Sequence, residues 1–453
     1  MVYKKPPLID YDKTAIEQLK EVNPSGGAIL DYLDFMGATD SKGRYLPFND
    51  FRFRVSKGID TDLAWRFTKE ARNKTSLCMF KVGEGEFCFY NYTPAIYRAM
   101  SMVDRHTTTS HIKYLIRELG ESEGIGYLLE DLIEDEAISS SQLEGAATTT
   151  KVAKAMLATE RKPRTADEKM ILGNFRMMNF AWENRLKSLT PDLIKEMHKI
   201  GVEGIDDEEY TPGTFRHTDD IFVVGAEGEV VHKPPSAEKL EERLSDLCRW
   251  VNADHESEEI HIHPLLKAIA IHFAIGYEHP FRDGNGRVAR SLFYWFMFKN
   301  SFEGFRYISI SVLLKAAAVQ YGMSYVHTES DEMDLTYFIE YQVKVVVRAI
   351  NNFMDRYKAA MTEEKDFMVW LVRSGSYAKM TTRQRMVYFS SSHKQAGLLT
   401  AKSTSKLLNI SQNTALKELN GLCHMGLLDK FKEGNKWIFR VKSRKDILDG
   451  PAD

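Results

Sequence analysis

The stretch His279-Pro-Phe-Arg-Asp-Gly-Asn-Gly-Arg-Val-Ala-Arg290 lies in the most apolar part of the chain and decides how that part folds. The apolar residues at 264–276, just before it, predict a helix that is buried on nearly all sides. Pro280 prevents that helix from simply continuing. Gly284 and Gly286 then permit a tight backbone turn from which a second helix can start. The sequence therefore predicts a helix–loop–helix core within a mainly α-helical domain.

The loop between these two helices combines residue types that suit phosphate chemistry. A glycine-containing turn at a helix N-terminus binds anions through its backbone amides. Arg287 and Arg290 share one face of the second helix, and paired guanidinium groups suit a polyphosphate. Asp283 can hold Mg²⁺, which binds proteins through one or two carboxylates plus phosphate oxygens. His279, with an ordinary pKa of about 6.5, can accept a proton near neutral pH. We therefore expect attack of a hydroxyl group on a nucleotide phosphorus.

These twelve residues resemble the signature of the Fic family, H-P-F-x-D/E-G-N-G-R-x-x-R, and every specified position is present. The resemblance implies that His279 deprotonates the target hydroxyl, that Asp283 holds Mg²⁺ and that Phe281 points into the core. It also implies that the phosphates of ATP are bound by Gly284, Asn285, Gly286, Arg287 and Arg290, the last at the γ-phosphate. The kinase-like Doc branch has lysine at the position of Gly286. The glycine therefore favours transfer of AMP from ATP to a serine, threonine or tyrosine of a protein.

The resemblance further implies a helical Fic core that carries a β-hairpin, the flap. Residues 210–235 contain two short β-type runs around a glycine-containing turn, which predicts a hairpin inside the helical domain. In the family this flap clamps the target peptide as an added strand, here through Val230, Val231 and His232. A plain surface hairpin is the alternative. Tyr321 stands where the family often has an aromatic side chain near the adenine.

Residues 139–146 read Ser-Ser-Ser-Gln-Leu-Glu-Gly-Ala and match a second pattern. Ser140, Glu144 and Gly145 resemble the Fic inhibitory motif [S/T]-x-x-x-E-[G/N], in the class whose inhibitory helix, here about 134–150, precedes the catalytic segment. A carboxylate paired with Arg290 would remove the partner of the γ-phosphate and misalign ATP. By itself the pattern also suits an ordinary helix with a surface glutamate. We expect a protein adenylyltransferase that Glu144 inhibits.

The C-terminal part of the chain is basic. Residues 381–446 contain 13 lysine and arginine residues and four carboxylates, although the whole chain has a net charge of −3. Two short helices, at 400–408 and 411–425, followed by a hairpin turning at Gly434-Asn435, are typical of a winged helix-turn-helix. Such a module binds DNA or docks a protein, and the sequence leaves both partners open.

Other features bound the organisation of the chain. We expect four segments: a mixed N-terminal region (1–107) with a short hairpin at 82–90, a Fic domain (108–361), a linker (362–380) and a winged-helix domain (381–453). Helices are predicted at 166–186, after the N-cap Thr190 and after the N-cap Ser236. His272 is interpreted as a core histidine that packs or donates a hydrogen bond.

The cellular setting is predicted from what the sequence lacks. The first 30 residues show no apolar core of a secretory leader, and no run of 18 apolar residues occurs. Four scattered cysteines, Cys78, Cys88, Cys248 and Cys423, favour reduced thiols in the cytoplasm. Neither they nor His261 and His263 form a recognisable metal-binding pattern. The oligomeric state is not indicated.

Two other functions are compatible with the same residues. A Fic-like domain that only senses a nucleotide would make the chain a DNA-binding transcription regulator, but sensing does not need a base such as His279. Removal of AMP from a modified protein, with Glu144 orienting a water molecule, is the second alternative. A nucleotide donor other than ATP also stays open, because the motif contacts phosphates and not the base.

Overall fold

The computed structural model describes residues 3–23, 27–118, 124–205, 211–225, 228–255, 261–391, 398–433, 436–442 and 444–448. Contacts divide the chain into two compact units. The first consists of Met1–Thr109 and Ile133–Ile350, and the second of Ser110–Leu132 and Asn351–Asp453. The described part contains no helix long and apolar enough to span a membrane.

Helices dominate the described part, which confirms the predicted mainly α fold. The α-helices are α1 (Ala15–Val22), α2 (Phe48–Phe51), α3 (Thr61–Thr75), α4 (Pro94–His106), α5 (Thr109–Glu118), α6 (Gly124–Leu143), α7 (Thr150–Ala158), α8 (Ala166–Glu183), α9 (Pro191–Val202), α10 (Leu240–Asn252), α11 (Pro264–Glu278), α12 (Asn285–Lys299), α13 (Ser311–Ala316), α14 (Ala318–Ser330), α15 (Thr336–Arg373), α16 (Ser376–Lys379), α17 (Thr382–Ser391), α18 (Ala401–Leu408), α19 (Gln412–His424) and α20 (Arg444–Leu448). Short 3₁₀ helices lie at Gly27–Phe35, Ala237–Lys239 and Glu303–Tyr307. The strands are β1 (Leu77–Val82), β2 (Glu86–Tyr90), β3 (Val223–Val224), β4 (Val230–His232), β5 (Leu398–Leu399), β6 (Leu428–Glu433) and β7 (Lys436–Val441).

Side-chain caps set the starts of the predicted helices. Thr190 accepts a hydrogen bond from the Leu193 amide, and Pro191 occupies the first position of α9. Ser236 caps the 3₁₀ turn that leads into α10. Both predicted starts are confirmed. The helix predicted over 166–186 is α8, which ends at Glu183 because Asn184 caps it.

The core of the first unit is built around α11 and α12, which pack against each other, with α8 and α9 against α12. All residues of α11 from Leu265 to Ile275 are buried, which confirms that this helix is enclosed. The aromatic side chains of Phe293 and Trp295 on α12 are also fully buried. Such dense packing fixes the loop between the two helices at both ends.

The N-terminal residues join this core. The hydroxyl of Tyr45 donates to Asp334 at 2.6 Å, and the guanidinium of Arg72 donates to the hydroxyl of Tyr337 at 2.6 Å. Lys69 forms a buried ion pair with Asp331 at 3.0 Å. Residues 1–109 therefore belong to the same compact unit as the α11–α12 core, and the predicted boundary at 107 does not separate two bodies there.

Both predicted hairpins of this unit are present. β1 and β2 pair antiparallel, with Val82 opposite Glu86 at the turn. β3 and β4 pair antiparallel, with Val223 opposite His232 and Val224 opposite Val230. Residues 210, 226 and 227 of the predicted flap lie outside the described residues.

In the second unit, α18, α19 and the strands β6 and β7 follow the predicted order of two helices and a hairpin, and the unpredicted elements α17 and β5 precede them. The three strands form a sheet in the order β5–β7–β6. The core of this unit includes Leu419, Leu422 and Phe439. The turn predicted at 434–435 lies outside the described residues. The first half of the predicted linker continues helix α15, because the sequence offers no helix breaker before Gly375, whose φ is +71°.

Candidate active site

His279 is the C-cap of α11 and has a left-handed backbone conformation, with φ 47° and ψ 59°. This conformation is costly for a residue with a side chain and persists only where the surroundings enforce it. Pro280 follows directly and stops the helix. The imidazole therefore leaves the helix axis at a fixed point, where the loop to α12 begins.

The hydrogen bonding of His279 selects its tautomer. Its Nδ1 lies 3.2 Å from the carbonyl oxygen of Gly276, which can only accept, so Nδ1 carries the proton and donates. Nε2 is then the nitrogen with the lone pair. Burial lowers the pKa of His279 to about 4, although the bond to Gly276 opposes that shift. At neutral pH the ring is uncharged, and Nε2 can accept a proton.

Arg216 fixes the backbone around His279. Its Nε donates to the His279 carbonyl at 2.9 Å, and its own amide donates to the Pro280 carbonyl at 2.8 Å. The guanidinium also donates to the carbonyls of Glu278 and Pro235. Sequence reasoning did not single out this residue. Its position in Pro-Gly-Thr-Phe-Arg, a few residues before the first strand of the flap, was the available signal.

Helix α12 begins directly after Gly284, which has φ 80° and provides no side-chain cap. The positive end of the helix dipole and its first amides are thus presented to the loop. The side chain of Asn285 closes the loop instead. Its Oδ1 accepts from the Phe281 amide at 2.9 Å, and its Nδ2 donates to the Phe281 carbonyl at 2.8 Å. Phe281 is fully buried, as predicted.

His198 on α9 supports the other side of this loop and was also missed. Its Nδ1 accepts from the Gly213 amide at 3.0 Å, so Nε2 carries the proton and donates to the Asp283 carbonyl at 3.0 Å. The ring stacks on Phe281 with centroids 3.7 Å apart. Burial lowers the pKa of His198 to about 4, which keeps this neutral arrangement intact. A lone histidine on an apolar helix face was the available signal.

Glu144 and Arg290 are brought together across 146 positions of sequence. Arg290 Nη2 donates to Glu144 Oε1 at 2.8 Å. Arg290 also donates to the hydroxyl of Ser140 at 2.9 Å through Nε, and to the Ser140 carbonyl at 3.0 Å. The guanidinium is buried. Burial lowers its pKa, but the charge of Glu144, the nearby Tyr321 and the hydrogen bond to Glu144 together outweigh that effect, so the pKa is raised.

The position of Glu144 follows from the way α6 ends. The Gly145 amide donates to the Gln142 carbonyl at 3.2 Å, and the Ala146 amide donates to the Ser141 carbonyl at 3.1 Å. These two bonds, with Gly145 at φ +100°, form a Schellman termination. The helix predicted over 134–150 is therefore interrupted: it ends at Leu143, and α7 starts at Thr150.

The carboxylate of Glu144 lies over the start of α12. A Cβ atom built on Gly286 would lie 2.2 Å from Glu144 Oε1 and 2.9 Å from Arg290 Nη1. A side chain at 286 is therefore incompatible with this arrangement. The guanidinium of Arg287 is fully buried and donates to the Gly201 carbonyl of α9 at 3.0 Å. Its predicted contact with phosphate stays a prediction.

Tyr321 lies near Arg290. Its hydroxyl contacts His272 Nε2 at 2.8 Å. His272 is completely buried and its pKa is lowered to about 3 by burial, in agreement with a core histidine. The proposed contact of Tyr321 with adenine stays a prediction.

On the flap, His232 is the most firmly held of the three predicted residues. Its Nδ1 contacts a carboxylate oxygen of Glu329 at 2.8 Å, and its Nε2 contacts the Tyr277 carbonyl at 2.8 Å. Val230, by contrast, is 59% exposed, and Val231 is only partly buried. The end of β4 at His232 is thus fixed to α11 and α14, while Val230 at the start of the same strand faces solvent.

Asp283 is the residue of this loop that could hold the predicted magnesium ion. Within the described ranges, no group of three His, Cys, Asp or Glu side chains could hold a metal ion. Asp283 lies in the loop just before the amides of α12, and its carboxylate accepts from the Gly284 amide. One carboxylate plus phosphate oxygens is the donor set that Mg²⁺ accepts.

The geometry agrees with the comparisons to known proteins. The family model described as Fic/DOC family matches residues 188–297. Residues 188–297 form a Fic domain. The matched range includes His279, the turn at Gly284 and both hairpin strands of the flap, whereas Glu144 lies outside it.

Curated relatives match about a quarter of the chain. A protein named "Protein adenylyltransferase Fic" from Drosophila persimilis is 30% identical over 117 residues, which is 26% of this chain and 20% of that protein. One of the same name from Nematostella vectensis is 32% identical over 117 residues, 26% of this chain and 25% of that protein. The chain thus spans about a fifth to a quarter of the length of these curated relatives.

The fold extends beyond the matched segment. A solved structure of a Fic family protein from Desulfovibrio desulfuricans G20 superposes with a TM-score of 0.50 and 17% sequence identity. The superposition covers 78% of this chain and 97% of that one. This likeness concerns the fold alone.

Proposed function

We propose that this chain is a protein adenylyltransferase that Glu144 holds in an inhibited state. The observation that supports it best is the combination of a neutral His279, whose lone pair is on Nε2, with a start of α12 at Gly284 that has no side-chain cap. The first is suited to take a proton, and the second to bind phosphate. His279 and Gly284 lie at the two ends of one short loop, which Arg216 and His198 hold in place.

In the proposed reaction, His279 Nε2 removes the proton from a serine, threonine or tyrosine hydroxyl of the target. The target oxygen then forms a bond to the α-phosphorus of ATP, the bond to the β-phosphate oxygen breaks, and pyrophosphate leaves. The amides at the start of α12 and Arg290 hold the phosphates and stabilise their negative charge. Asp283 would hold Mg²⁺, which would neutralise charge on the phosphates when bound.

The contact between Glu144 and Arg290 supports inhibition. The carboxylate occupies the position beside Gly286 and uses Arg290 Nη2. A γ-phosphate cannot use the same donor, and the negative charge of Glu144 repels it. A charge-assisted hydrogen bond contributes about 1.5–3 kcal/mol, which corresponds to about ten- to hundredfold in activity.

Labelled ATP tests this proposal. Purified Glu144→Gly protein, with Mg²⁺ and a lysate, is expected to label itself or another protein about ten to a hundred times more than the parent chain. The matched control Glu144→Gly/His279→Ala should give no label. If Glu144→Gly protein leaves no histidine-dependent AMP label, the transferase proposal is wrong. Equal labelling by the parent and Glu144→Gly would refute inhibition alone.

The second unit favours an additional function, binding of duplex DNA. We infer a winged helix from its element order, and its predicted wing β6–β7 exposes Lys430, Lys432 and Arg440. Helix α19 begins with the exposed polar residues Gln412 and Asn413. Binding to duplex DNA should weaken steeply as salt rises. Charge reversal at Lys430 and Lys432 should abolish it, and absence of binding at low salt would instead favour protein docking.

A further inference from the structure

Glu278 has an unusual place for a buried carboxylate. It is the last residue of α11, directly before His279, and only 3% exposed. The negative end of the helix dipole disfavours a carboxylate there, and burial of a charge is costly unless it is paired. A glutamate at this position therefore needs strong compensating contacts.

Those contacts come from two separate elements. Glu278 Oε1 accepts from the Gly83 amide in the β1–β2 turn at 2.7 Å. Glu278 Oε2 accepts from Arg243 Nε of α10 at 2.8 Å. Arg243 in turn donates to the Ser236 carbonyl at 2.7 Å, at the base of the flap. One carboxylate thus connects the N-terminal hairpin, α10 and the end of α11.

The turn of the hairpin is shaped for this contact. Gly83 has φ +55°, and a Cβ atom built on it would lie 2.5 Å from the carboxylate of Glu86 and 3.3 Å from the ring of Tyr277, the residue before Glu278. Gly85, two residues on, also has a positive φ of +120°, but a Cβ atom there meets nothing within 4 Å. The close approach is therefore specific to Gly83.

We propose that Glu278 is a positioning residue for His279, and that the β1–β2 hairpin takes part in this positioning through the Gly83 amide. Arg216 holds the carbonyls of Glu278 and His279 from one side, and the Glu278 carboxylate holds the same turn from the other. The N-terminal region, outside the matched family segment, thereby acts on the base. The inference rests on the proposed function for its effect on rate.

Glutamine at 278 is the first test, made in the Glu144→Gly background. Its amide has one acceptor, so it faces either Gly83 or Arg243 with a donor against a donor. We expect kcat to fall about ten- to hundredfold with KM for ATP within about twofold, because His279 is misplaced and phosphate binding is untouched. Arg243→Met should produce the same loss, and the double variant little more, since both remove one network. A loss divided between kcat and KM, or one that adds in the double variant, would indicate a merely structural role.

A matched glycine pair tests the hairpin. Gly83→Ala and Gly85→Ala both place a side chain at positive φ, so both strain the turn. Only Gly83→Ala displaces the amide that Glu278 binds. We expect Gly83→Ala to lower kcat about tenfold or more and Gly85→Ala to change it less than twofold. Equal effects of the two would overturn the role of the hairpin.

Hydrogen exchange separates this inference from the proposed function. In Glu278→Gln protein with Glu144 intact, the amides of 279–284 should exchange faster than in the parent chain, whereas those of α8 should not. Unchanged exchange in the loop overturns the inference even if Glu144→Gly is active. Faster exchange with no transferase activity keeps the positioning role and rejects the reaction.

Discussion

At the scale of single residues, Arg290 has two kinds of partner. Glu144 contributes charge, and Ser140 contributes a hydroxyl and a carbonyl that hold the guanidinium in place. The serine of the predicted motif therefore has a separate role: it orients the arginine toward the glutamate. Loss of either partner should release the arginine, by different amounts.

Ser140→Ala removes one hydrogen bond to the buried guanidinium. We expect AMP transfer by otherwise unchanged protein to rise about fivefold, since a hydrogen bond of this kind contributes about 1 kcal/mol. Ser141→Ala is the matched control, because the Ser141 hydroxyl donates within α6 to the Ala137 carbonyl. Initial rates of labelling from ATP measure both. A rise for Ser141→Ala that equals the rise for Ser140→Ala would contradict the assignment.

The low pKa of His279 predicts the pH dependence of the reaction. Burial favours the neutral ring, so its lone pair is available well below pH 6.5 and is lost only as pH falls through about 4. In Glu144→Gly protein, kcat should therefore be flat on its acid side from pH 8 to pH 6. A protonation step near the ordinary histidine pKa, about 6.5, would show that the ring is more solvated than in this structure.

At the scale of elements, the end of α6 decides where Glu144 lies. Gly145 has φ +100° and a Cβ atom on it would meet nothing within 4 Å, so alanine there causes backbone strain without a clash. We expect Gly145→Ala to weaken the termination and raise AMP transfer severalfold. Gly375→Ala, also at positive φ with open space, is the control in the other unit. No change for Gly145→Ala would refute this role of the helix end.

The pairing of the flap strands gives a second prediction at the scale of elements. The register of β3 and β4 skips Val231, which lies between the paired Val230 and His232. If a target pairs with β4, Val231→Pro should lower transfer to protein targets about tenfold while ATP binding stays unchanged, because the amide is lost. Val231→Thr keeps the amide and should behave as the parent. Target modification that is insensitive to Val231→Pro would favour a plain surface hairpin.

Local signals predicted the elements well, and distant contacts less so. The caps Thr190 and Ser236, both hairpins and the apolar α11 follow from short stretches of sequence, and all are confirmed. Arg216, His198 and Glu278 act through backbone atoms that lie far away in sequence, such as the carbonyls of 279 and 283. A side chain that bonds to a backbone group requires no particular residue type at the partner position. Residue spacing could therefore not reveal these contacts.

At the scale of the whole molecule, burial of histidines couples stability to pH. Burial lowers the pKa of His198 to about 4, of His272 to about 3 and of His279 to about 4. An unfolded chain binds protons at these rings near pH 6.5, while the folded chain stays neutral. Their contribution to stability is complete above about pH 6.5 and is lost as pH falls toward 4.

The thermal midpoint should therefore fall between pH 7.5 and pH 5. His272→Gln, which keeps a neutral hydrogen-bonding side chain, should reduce the slope of stability against pH in this range. His217→Asn changes an exposed histidine and should leave the slope unchanged. Urea unfolding at several pH values measures the free energy of unfolding of the parent, His272→Gln and His217→Asn proteins. A slope in His272→Gln equal to that of the parent would contradict the burial argument.

The termination of α6 also sets a timescale. Opening of the last turn breaks the two backbone bonds around Gly145 and the contact of Glu144 with Arg290, and leaves the rest of α6 in place. Helix ends rearrange in about a microsecond, whereas enzymes typically turn over on the order of 1–1,000 times per second. The closed and open forms of this turn would therefore interchange many times within one catalytic cycle. Resting activity would then report the equilibrium fraction of open chains, and anything that binds the displaced Glu144 would change that fraction without moving a domain.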